Sequence, residues 1–287
     1  PTSTPPRLSP QHLLSLTAGF LGHAQVNKAV IAVPAKFNAL QRAATGAAYK
    51  AAGLKVVRVM EEPTAAAVAY QLHKKSNVHH ILVYDFGGGT LDVSILYVRK
   101  GSVEVYATDG DEALGGSDLD LCLAELLTQR TEAEAETGGA VAAGVGAEAG
   151  EEEREGVDAA CSVPSIRIKA EQLKKELSSR SEAQFGCTMP TSAAAAAPRQ
   201  VSLAVSRRDF ESHCAPLFER GMLPVTRLLD ELGMARTEID EIVLVGGSTR
   251  IPHVKQRLQD FFGHKANIND HIDPDVTVAF GAASIVD

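Results

Sequence analysis

The sequence predicts an α/β protein that is long enough for two lobes. Residues 81–98 place Val, Ile, Leu and Tyr on both sides of a triple glycine, which is the pattern of a strand, a glycine turn and a second strand. Residues 241–262 give another buried strand that breaks at two glycines into a helix. The chain has 287 residues, of which 45% are hydrophobic, so it can form two separate cores.

The first third of the chain alternates short strands and helices. Residues 1–10 are rich in proline and are predicted to be disordered. The patterns then predict a helix at 12–22, a buried strand at 29–34, an Ala-rich helix at 38–52, a strand at 55–60 and a helix of small residues at 63–70. Gly53 is typical of a helix end, and Pro63 is typical of a helix start.

Helices dominate the rest of the chain. The patterns predict a strand at 103–108 and helices at 114–130, 165–182, 206–229 and 276–285. Residues 131–163 are mostly Glu, Ala and Gly without apolar periodicity, which predicts a solvated, mobile insertion. Residues 186–200 include a run of alanines and are predicted to form a second low-complexity loop.

The net charge of −8 comes from one segment. Residues 131–160 contain nine acidic residues and one basic residue, whereas the rest of the chain is balanced. A balanced chain has no basic stripe, so the sequence indicates neither nucleic-acid binding nor a patch for acidic membranes. No run is long and apolar enough to span a bilayer, and the N-terminus lacks the features of a signal peptide.

The cysteines are widely spaced, at Cys122, Cys161, Cys187 and Cys214. None of these spacings is typical of a metal site or a redox pair, so the sequence predicts ordinary thiols. The chain does not begin with Met, so we expect a fragment or a processed product, and any targeting signal would lie upstream.

The glycine turn within the first pattern is the strongest candidate for chemistry. Glycines 87–89 permit backbone angles that side chains forbid, and consecutive glycines let N–H groups surround an anion. The hydroxyl of Thr90 adds a donor, so the turn is suited to phosphate oxygens. Asp85 and Asp92 stand at its edges, where a hydrated Mg²⁺ would offset their repulsion from phosphate. The alternative is a tight structural turn with two solvated aspartates.

Two further features each allow two interpretations. Glu62 lies at a predicted strand-to-helix junction, where it either favours the helix dipole or acts in catalysis. One face of the helix at 165–182 either grips a nucleoside or is a solvated surface with an i,i+4 ion pair. The polar residues on that face are Glu171, Lys174, Lys175 and Ser178.

The glycine pair after the strand at 241–245 is the other candidate site. Gly246 and Gly247 let a flat ligand approach the backbone. Ser248 can cap a helix or bind a ligand, and Arg250 offers a planar guanidinium that can stack on a base. The alternative is a capped strand-to-helix turn.

In this order, the motifs resemble the nucleotide-binding domain of the 70-kDa heat-shock protein family. The matches span residues 26–287 apart from the loops. They are Val33-Pro34 with Phe37 and Arg42, Glu62-Pro-Thr-Ala-Ala-Ala67, Asp85-Phe-Gly-Gly-Gly-Thr-Leu-Asp-Val-Ser94, Leu114-Gly-Gly-Ser-Asp118, Val245-Gly-Gly-Ser-Thr-Arg-Ile-Pro252 and Asp273-Pro-Asp275. Within the family, the stretches at 70–74 and 237–245 are most similar to the microsomal member that consists of the ATPase core alone.

The resemblance implies an actin-like, ribonuclease H-like ATPase fold of two α/β lobes with ATP or ADP and Mg²⁺ in the cleft. Residues 11–78 would be the remainder of the first lobe, and residues 79–287 would be the second lobe. The implied catalytic and phosphate-binding residues are Glu62, Asp85, Gly87, Gly88, Gly89, Thr90 and Asp92, with Asp85 holding Mg²⁺ through water. The other implied nucleotide contacts are Gly115, Gly116, Glu171, Lys174, Lys175, Ser178, Gly246, Gly247, Ser248, Arg250 and Asp275. Pro34 and Arg42 match positions that relay the nucleotide state between lobes.

The resemblance is incomplete at the start of the chain. In the family, another glycine-rich phosphate hairpin comes first, followed by a lobe with a lysine that contacts the transferred phosphate, and nothing in this sequence matches either. The loss of one phosphate clamp and one lysine should lower the rate by several orders of magnitude. We therefore expect an incomplete first lobe and poor or absent ATP hydrolysis by this chain alone.

The leading hypothesis is a chaperone-type ATPase core that couples ATP hydrolysis to protein folding. One alternative is a sugar or small-molecule kinase of the same superfamily, against which the stretches at 62–67 and 246–252 argue. Another is a non-catalytic nucleotide-binding interaction protein, against which the presence of Asp85, Thr90 and Asp92 argues. The resemblance also implies co-chaperones and nucleotide-exchange factors as partners, a monomer, and the endoplasmic reticulum as the compartment, with the cytoplasm as the alternative.

Overall fold

The computed structural model describes residues 9–22, 26–136, 160–189, 199–263 and 265–285. The helices are α1 (Pro10–Leu21), α2 (Ala39–Ala51), α3 (Glu62–Ala69), α4 (Gly116–Glu136), α5 (Val163–Ser179), α6 (Arg207–His213), α7 (Ala215–Leu232), α8 (Pro252–Phe262) and α9 (Thr277–Ala283). The strands are β1 (Lys28–Val33), β2 (Lys55–Glu61), β3 (His80–Phe86), β4 (Leu91–Arg99), β5 (Ser102–Asp111), β6 (Glu182–Met189), β7 (Arg199–Ser206), β8 (Glu241–Val245) and β9 (Asn267–Asn269).

A five-stranded mixed sheet in the order β5-β4-β3-β8-β9 carries the largest part of the fold. Strands β3 and β4 form the predicted antiparallel hairpin, and β8 runs parallel to β3. The side chains of β3 alternate between two cores, since Leu82 and Tyr84 belong to one and Ile81 and Val83 to the other. Both faces of the sheet are therefore covered, which explains the nearly continuous apolar sequence of β3.

The larger core lies between one face of this sheet and helices α4, α5, α7 and α8. The other face packs against α3, through Ala66, Ala67 and Tyr70. Helix α9 lies very close to α3, because a Cβ at Gly281 would come within 1.8 Å of the Ala65 carbonyl oxygen. The small residues predicted at 63–70 thus permit close helix packing.

A separate pair of parallel strands, β1 and β2, forms the core of the first-lobe part of the chain. Helix α2 connects them and begins with a capping box, in which Asn38 and Gln41 bond each other's backbone N–H groups. The predicted lobe limits at 11–78 and 79–287 remain a prediction.

The two loop predictions were wrong at their described ends. Residues 186–189 belong to β6 and residues 199–200 to β7, which pair as an antiparallel hairpin. Alternating buried residues such as Phe185 and Leu203 were the sequence signal that the alanine run obscured. Residues 131–136 are the last part of α4, because Thr131 is still buried and its hydroxyl donates to the Leu127 carbonyl oxygen. Residues 137–159 and 190–198 lie outside the described residues.

Two other boundaries differ from the prediction. The helix predicted at 206–229 is divided into α6 and α7 at Cys214, because Pro216 in the first turn of α7 favours a new helix start. Helix α1 begins at Pro10, and the hydroxyl of Ser9 accepts a hydrogen bond from the N–H of His12. The predicted disordered segment 1–10 therefore wrongly includes Ser9 and Pro10, which form the start of α1. Residues 1–8 lie outside the described residues.

The prediction of ordinary thiols was wrong. The structure has two disulfide bonds, Cys122–Cys214 and Cys161–Cys187. They join residues that are 92 and 26 positions apart, and such long-range pairs are invisible to an argument from local cysteine spacing. In the part of the chain that the structure describes, no helix is long and apolar enough to cross a membrane.

Candidate functional site

Three carboxylates come together where the two parts of the chain meet. Asp85 near the end of β3 faces Asp92 of β4 in the hairpin register, and Glu62 is the first residue of α3. All three line a cavity of about 20 Å³ together with Pro34 and Ala35. The structure therefore brings together residues that are separated by up to thirty positions in the sequence.

Burial, with a smaller effect of neighbouring carboxylates, raises the pKa of two of the three carboxyl groups. Burial, followed by the charges of Asp85 and Asp92, raises the pKa of Glu62 to about 7. Burial and the charge of Asp92 raise the pKa of Asp85 to about 6. Both shifts show a concentration of negative charge that a cation would relieve.

The turn at 87–89 does not use its glycines in the way that the sequence suggested. None of these three glycines has a positive φ, so unusual backbone angles are not the reason for them. A Cβ at Gly88 or Gly89 would meet no atom within 4 Å, so both face open space. Within the described residues, the backbone N–H groups of Gly88, Gly89 and Thr90 donate no hydrogen bond. The turn therefore has unpaired consecutive donors, which are the groups that a backbone anion site uses.

Two neighbouring elements form hydrogen bonds to the carbonyl groups of this turn. The N–H groups of Gly116 and Ser117 at the start of α4 donate to the carbonyl oxygens of Gly87 and Gly88, at 3.0 and 2.8 Å. The hydroxyl of Ser248 also donates to the Gly87 carbonyl oxygen, at 2.9 Å. The carbonyl groups of Gly87 and Gly88 are thus engaged by α4 and Ser248, which fixes the position of the turn beside these elements.

Next to the turn lies a cavity of about 490 Å³ that collects most of the predicted nucleotide contacts. Its lining includes ten of them: Gly88, Gly116, Glu171, Lys174, Lys175, Ser178, Gly247, Ser248, Arg250 and Asp275. The predicted residues Gly87, Gly89, Thr90, Gly115 and Gly246 do not line it, and the lining of the carboxylate cavity includes none of residues 87–90.

Lys174 lies deeper in the cavity than its position on an exposed-looking helix face suggested. Its side chain is 11% exposed, and its ammonium lies 2.7 Å from Asp120 Oδ1 and 2.9 Å from the Gly116 carbonyl oxygen. Burial raises the pKa of Asp120 although the Lys174 ion pair opposes the shift. Asp120 and Ser117, which also line the cavity, were missed by the sequence analysis because nothing local distinguishes them from surface residues of α4.

The exposed part of the same helix face carries the expected ion pair and also lines the cavity, so its contact with a nucleoside stays a prediction. Lys175 and Glu171 form the expected i,i+4 ion pair at 2.6 Å, which lowers the pKa of Glu171 and raises that of Lys175. Both side chains also line the cavity. Ser178 also lines the cavity, and because its hydroxyl donates to the Lys174 carbonyl oxygen, its lone pairs remain as acceptors.

The second glycine pair closes the opposite side of the cavity. Gly246 has a φ of 82°, and a Cβ there would lie 2.4 Å from the Phe86 carbonyl oxygen, so this position requires glycine. Two carboxylates hold the guanidinium of Arg250, namely Asp273 and, at 3.0 Å, Asp275. Arg250 is 47% exposed, so one face of its planar group is available at the rim of the cavity.

The predicted relay residues form a firm joint between β1, α2 and β2. Arg42 donates to the carbonyl oxygens of Phe37 and Ala35, at 2.8 and 2.9 Å, and forms an ion pair with Glu61 at 2.9 Å. Pro34 lines the carboxylate cavity directly. The joint thus connects the chain next to Glu62 with the turn that follows β1.

The donor set fits a nucleotide with Mg²⁺. Mg²⁺ prefers oxygen ligands and keeps several of its waters, so carboxylates near it need not converge on one point. Within the described part of the chain, no three carboxylate, histidine or cysteine side chains are placed to hold a metal directly. The role of Asp85 as a ligand through water remains a prediction.

The chain is similar to known proteins of one family. A model of the Hsp70 protein family matches residues 11–287. The chaperone protein DnaK of Anaplasma marginale (strain St. Maries) is 43% identical over 265 residues, which are 91% of this chain and 38% of that protein. The chain thus spans well under half the length of this relative. Because the family model matches nearly the whole chain, the chain belongs to the Hsp70 family, whose ATPase domain has the actin-like α/β fold that the sequence predicted.

Proposed function

We propose that this chain is the nucleotide-binding core of a chaperone-type ATPase. The observation that carries the proposal is that ten predicted nucleotide contacts from five separate stretches line one cavity of about 490 Å³. Gly88 of the glycine turn lines this cavity, and Asp85 and Asp92 of the carboxylate cluster flank the turn in the hairpin. An adenine nucleotide has the same sequence of parts: a flat base, a sugar and a chain of phosphates.

Each part of the site has a distinct task in this proposal. Arg250 and the face of α5 that carries Lys175 hold the adenosine from two sides. The N–H groups of Gly88, Gly89 and Thr90 hold phosphate oxygens, and Asp85, Asp92 and Glu62 orient water at the end of the phosphate chain. Bound Mg²⁺ supplies positive charge that lowers the repulsion between phosphates and carboxylates.

Hydrolysis by this chain alone is expected to be slow. The sequence contains one glycine-rich phosphate hairpin of the two that the family resemblance implies, so fewer N–H donors surround the terminal phosphate. Stabilisation of the transferred phosphoryl group depends on donors that are placed around it. Coupling of hydrolysis to protein folding, and binding of co-chaperones and nucleotide-exchange factors, belong to the same proposal.

Calorimetric titration with Mg-ATP and Mg-ADP tests the proposal. We expect both nucleotides to bind, and we expect the Lys175→Ala variant to bind both at least threefold more weakly. Lys169→Ala is the matched control, because Lys169 lies on the same helix outside the cavity lining. An unchanged affinity in Lys175→Ala, or the absence of nucleotide binding in the unaltered chain, would contradict the proposal.

We also propose that the protein resides in the endoplasmic reticulum and is close to the microsomal, ATPase-core-only member of the family. The two disulfide bonds support this compartment, because disulfides persist in oxidising compartments and are rare in the cytosol. Peptide mapping of the endogenous protein under non-reducing conditions, together with cell fractionation, tests this proposal. Free thiols in a cytosolic fraction would favour the cytoplasm instead.

A further inference from the structure

A lysine that no motif singled out lies at the carboxylate cluster. Lys36 is in the turn between β1 and α2, and its ammonium lies 3.0 Å from Asp92 Oδ1. A Cβ at Gly110, which pairs with Asp92 across β4 and β5, would come 2.9 Å from the same ammonium. The absence of a side chain at Gly110 therefore leaves the room that the Lys36 ammonium occupies.

The backbone on both sides of Lys36 is fixed. Arg42 donates to the carbonyl oxygens of Ala35 and Phe37, the two residues that flank Lys36. The same guanidinium pairs with Glu61, directly before Glu62. Lys36 is thus held at a defined distance from the carboxylates by the joint between β1, α2 and β2.

The ion pairs at the carboxylate cluster distinguish Lys36 from the other basic residues that the structure describes. Among the ion pairs of the described residues, the one with Lys36 is the only pair that involves Glu62, Asp85 or Asp92. An ammonium has three donors, and a single carboxylate oxygen within reach leaves donors for another acceptor. Asp92 lies two residues after Thr90 and pairs with Asp85 in the hairpin, so the Lys36 ammonium contacts the strand that follows the glycine turn.

We propose that Lys36 contacts the terminal phosphate of a bound nucleoside triphosphate and so makes the site prefer the triphosphate over the diphosphate. The inference rests on the proposed nucleotide function. A cation at the end of the phosphate chain contacts a charge that only the triphosphate carries there, whereas the adenosine contacts are common to both nucleotides. Lys36 belongs to the first-lobe part of the chain and Asp92 to the second-lobe part. The contact of Lys36 with the terminal phosphate therefore also couples the identity of the bound nucleotide to the relative position of these two parts.

Affinities for Mg-ATP and Mg-ADP, measured by calorimetry without turnover, test this inference on the full chain. We expect Lys36→Met to lower the Mg-ATP affinity at least tenfold while the Mg-ADP affinity stays within twofold. Lys36→Arg should keep most of the preference, because the positive charge remains. Lys36→Gln, which keeps a donor for Asp92 but not the charge, should behave like Lys36→Met. Lys50→Met is the matched control, since Lys50 is an exposed lysine at the other end of the adjoining helix.

The outcomes separate the two proposals. If the unaltered chain binds neither nucleotide, the proposed function itself is wrong. If the unaltered chain binds both and Lys36→Met or Lys36→Gln weakens both equally, or changes neither, the terminal-phosphate contact is wrong and the proposed function stands. The circular dichroism spectra of the variants show whether they are folded, and the Gln variant gives the answer if the Met variant is not.

Discussion

At the scale of single residues, Gly115 and Gly116 decide how closely α4 approaches the phosphate-binding turn. A Cβ at Gly115 would lie 2.4 Å from the Gly88 carbonyl oxygen and from the backbone of Gly89. Contacts this short with backbone atoms cannot be relieved by a side-chain rotation, so the turn or the helix would have to move. The two residues are thus required for the shape of the site, although Gly115 itself does not line the nucleotide cavity.

We therefore predict that Gly115→Ala displaces the glycine turn and lowers the Mg-ATP affinity at least tenfold, as measured by calorimetric titration. Gly186→Ala is the matched control, because a Cβ at Gly186 meets its nearest atom at an ordinary 3.7 Å. Equal affinities in the two variants would show that the turn can accommodate the extra atom.

Glu62 is the second residue whose environment has a measurable consequence. Burial, followed by the charges of Asp85 and Asp92, raises the pKa of Glu62 from its usual 4.5 to about 7 in the folded chain. At pH values between 4.5 and 7, the folded state binds more protons than the unfolded state. The free energy of unfolding therefore falls as the pH rises through this range. The carboxylate cluster thus costs stability near neutral pH, which is expected of residues that are kept for a ligand.

We predict that, without divalent cations, the free energy of unfolding falls between pH 5 and pH 8 by on the order of 2 kcal/mol because of Glu62. Glu62→Gln cannot ionise, so its stability should exceed that of the unaltered chain increasingly as the pH rises through about 7. Urea unfolding of both proteins across this range measures the difference. A difference that does not change with pH would refute the raised pKa.

At the scale of elements, the disulfides hold the helices that carry the nucleotide cavity. Cys122 lies in α4, and its partner Cys214 lies between α6 and α7. Cys161 directly precedes the N-cap of α5, and its partner Cys187 lies in β6. Each bond therefore fixes one of the helices from which Asp120, Lys174 and their neighbours reach the cavity.

Removal of the Cys122–Cys214 disulfide and removal of the Cys161–Cys187 disulfide should lower the free energy of unfolding by different amounts. The chain-entropy account gives the Cys122–Cys214 bond, which closes a separation of 92 residues, about 1 kcal/mol more stabilisation than the bond across 26 residues. We predict that the Cys122→Ser/Cys214→Ser pair unfolds at lower urea concentration than the Cys161→Ser/Cys187→Ser pair. The second pair should instead lose more nucleotide affinity, because it frees the start of α5 beside the cavity. The reverse order of both effects would contradict these assignments.

At the scale of the whole molecule, the nucleotide site joins segments from nearly the full length of the chain. Glu62 begins α3, the glycine turn lies between β3 and β4, Lys174 lies on α5, and Asp275 precedes α9. A ligand that contacts all of these segments binds only the folded arrangement. Its binding energy is then added to the stability of the molecule as a unit.

We predict that Mg-ATP at one hundred times its dissociation constant raises the free energy of unfolding by about 2.7 kcal/mol. This corresponds to a rise of several degrees in the melting temperature of a chain of this size. Adenosine with Mg²⁺ is the control and should stabilise much less, because it lacks the phosphates. We also expect sedimentation to show a monomer with and without nucleotide. Stabilisation by adenosine equal to that by Mg-ATP would show that the glycine turn does not hold phosphate.

The sequence by itself determined the features that are encoded by neighbouring residues. The hairpin of β3 and β4, the strand β8 with its glycine pair and the start of α4 were predicted because apolar alternation and glycines are local patterns. The family resemblance joined these local patterns into one site, and ten of the predicted residues do line one cavity.

Only the tertiary structure decided the contacts between residues that are far apart in the sequence. The disulfides, the Lys174–Asp120 ion pair and the Lys36–Asp92 contact each join two segments whose own patterns are unremarkable. The glycine turn shows the same limit, since its φ angles do not require glycine, and the close approach of α4 depends on Gly115 in a different segment. Local patterns report the conformation of the backbone, whereas burial and charge at a site depend on which distant segments fold against it.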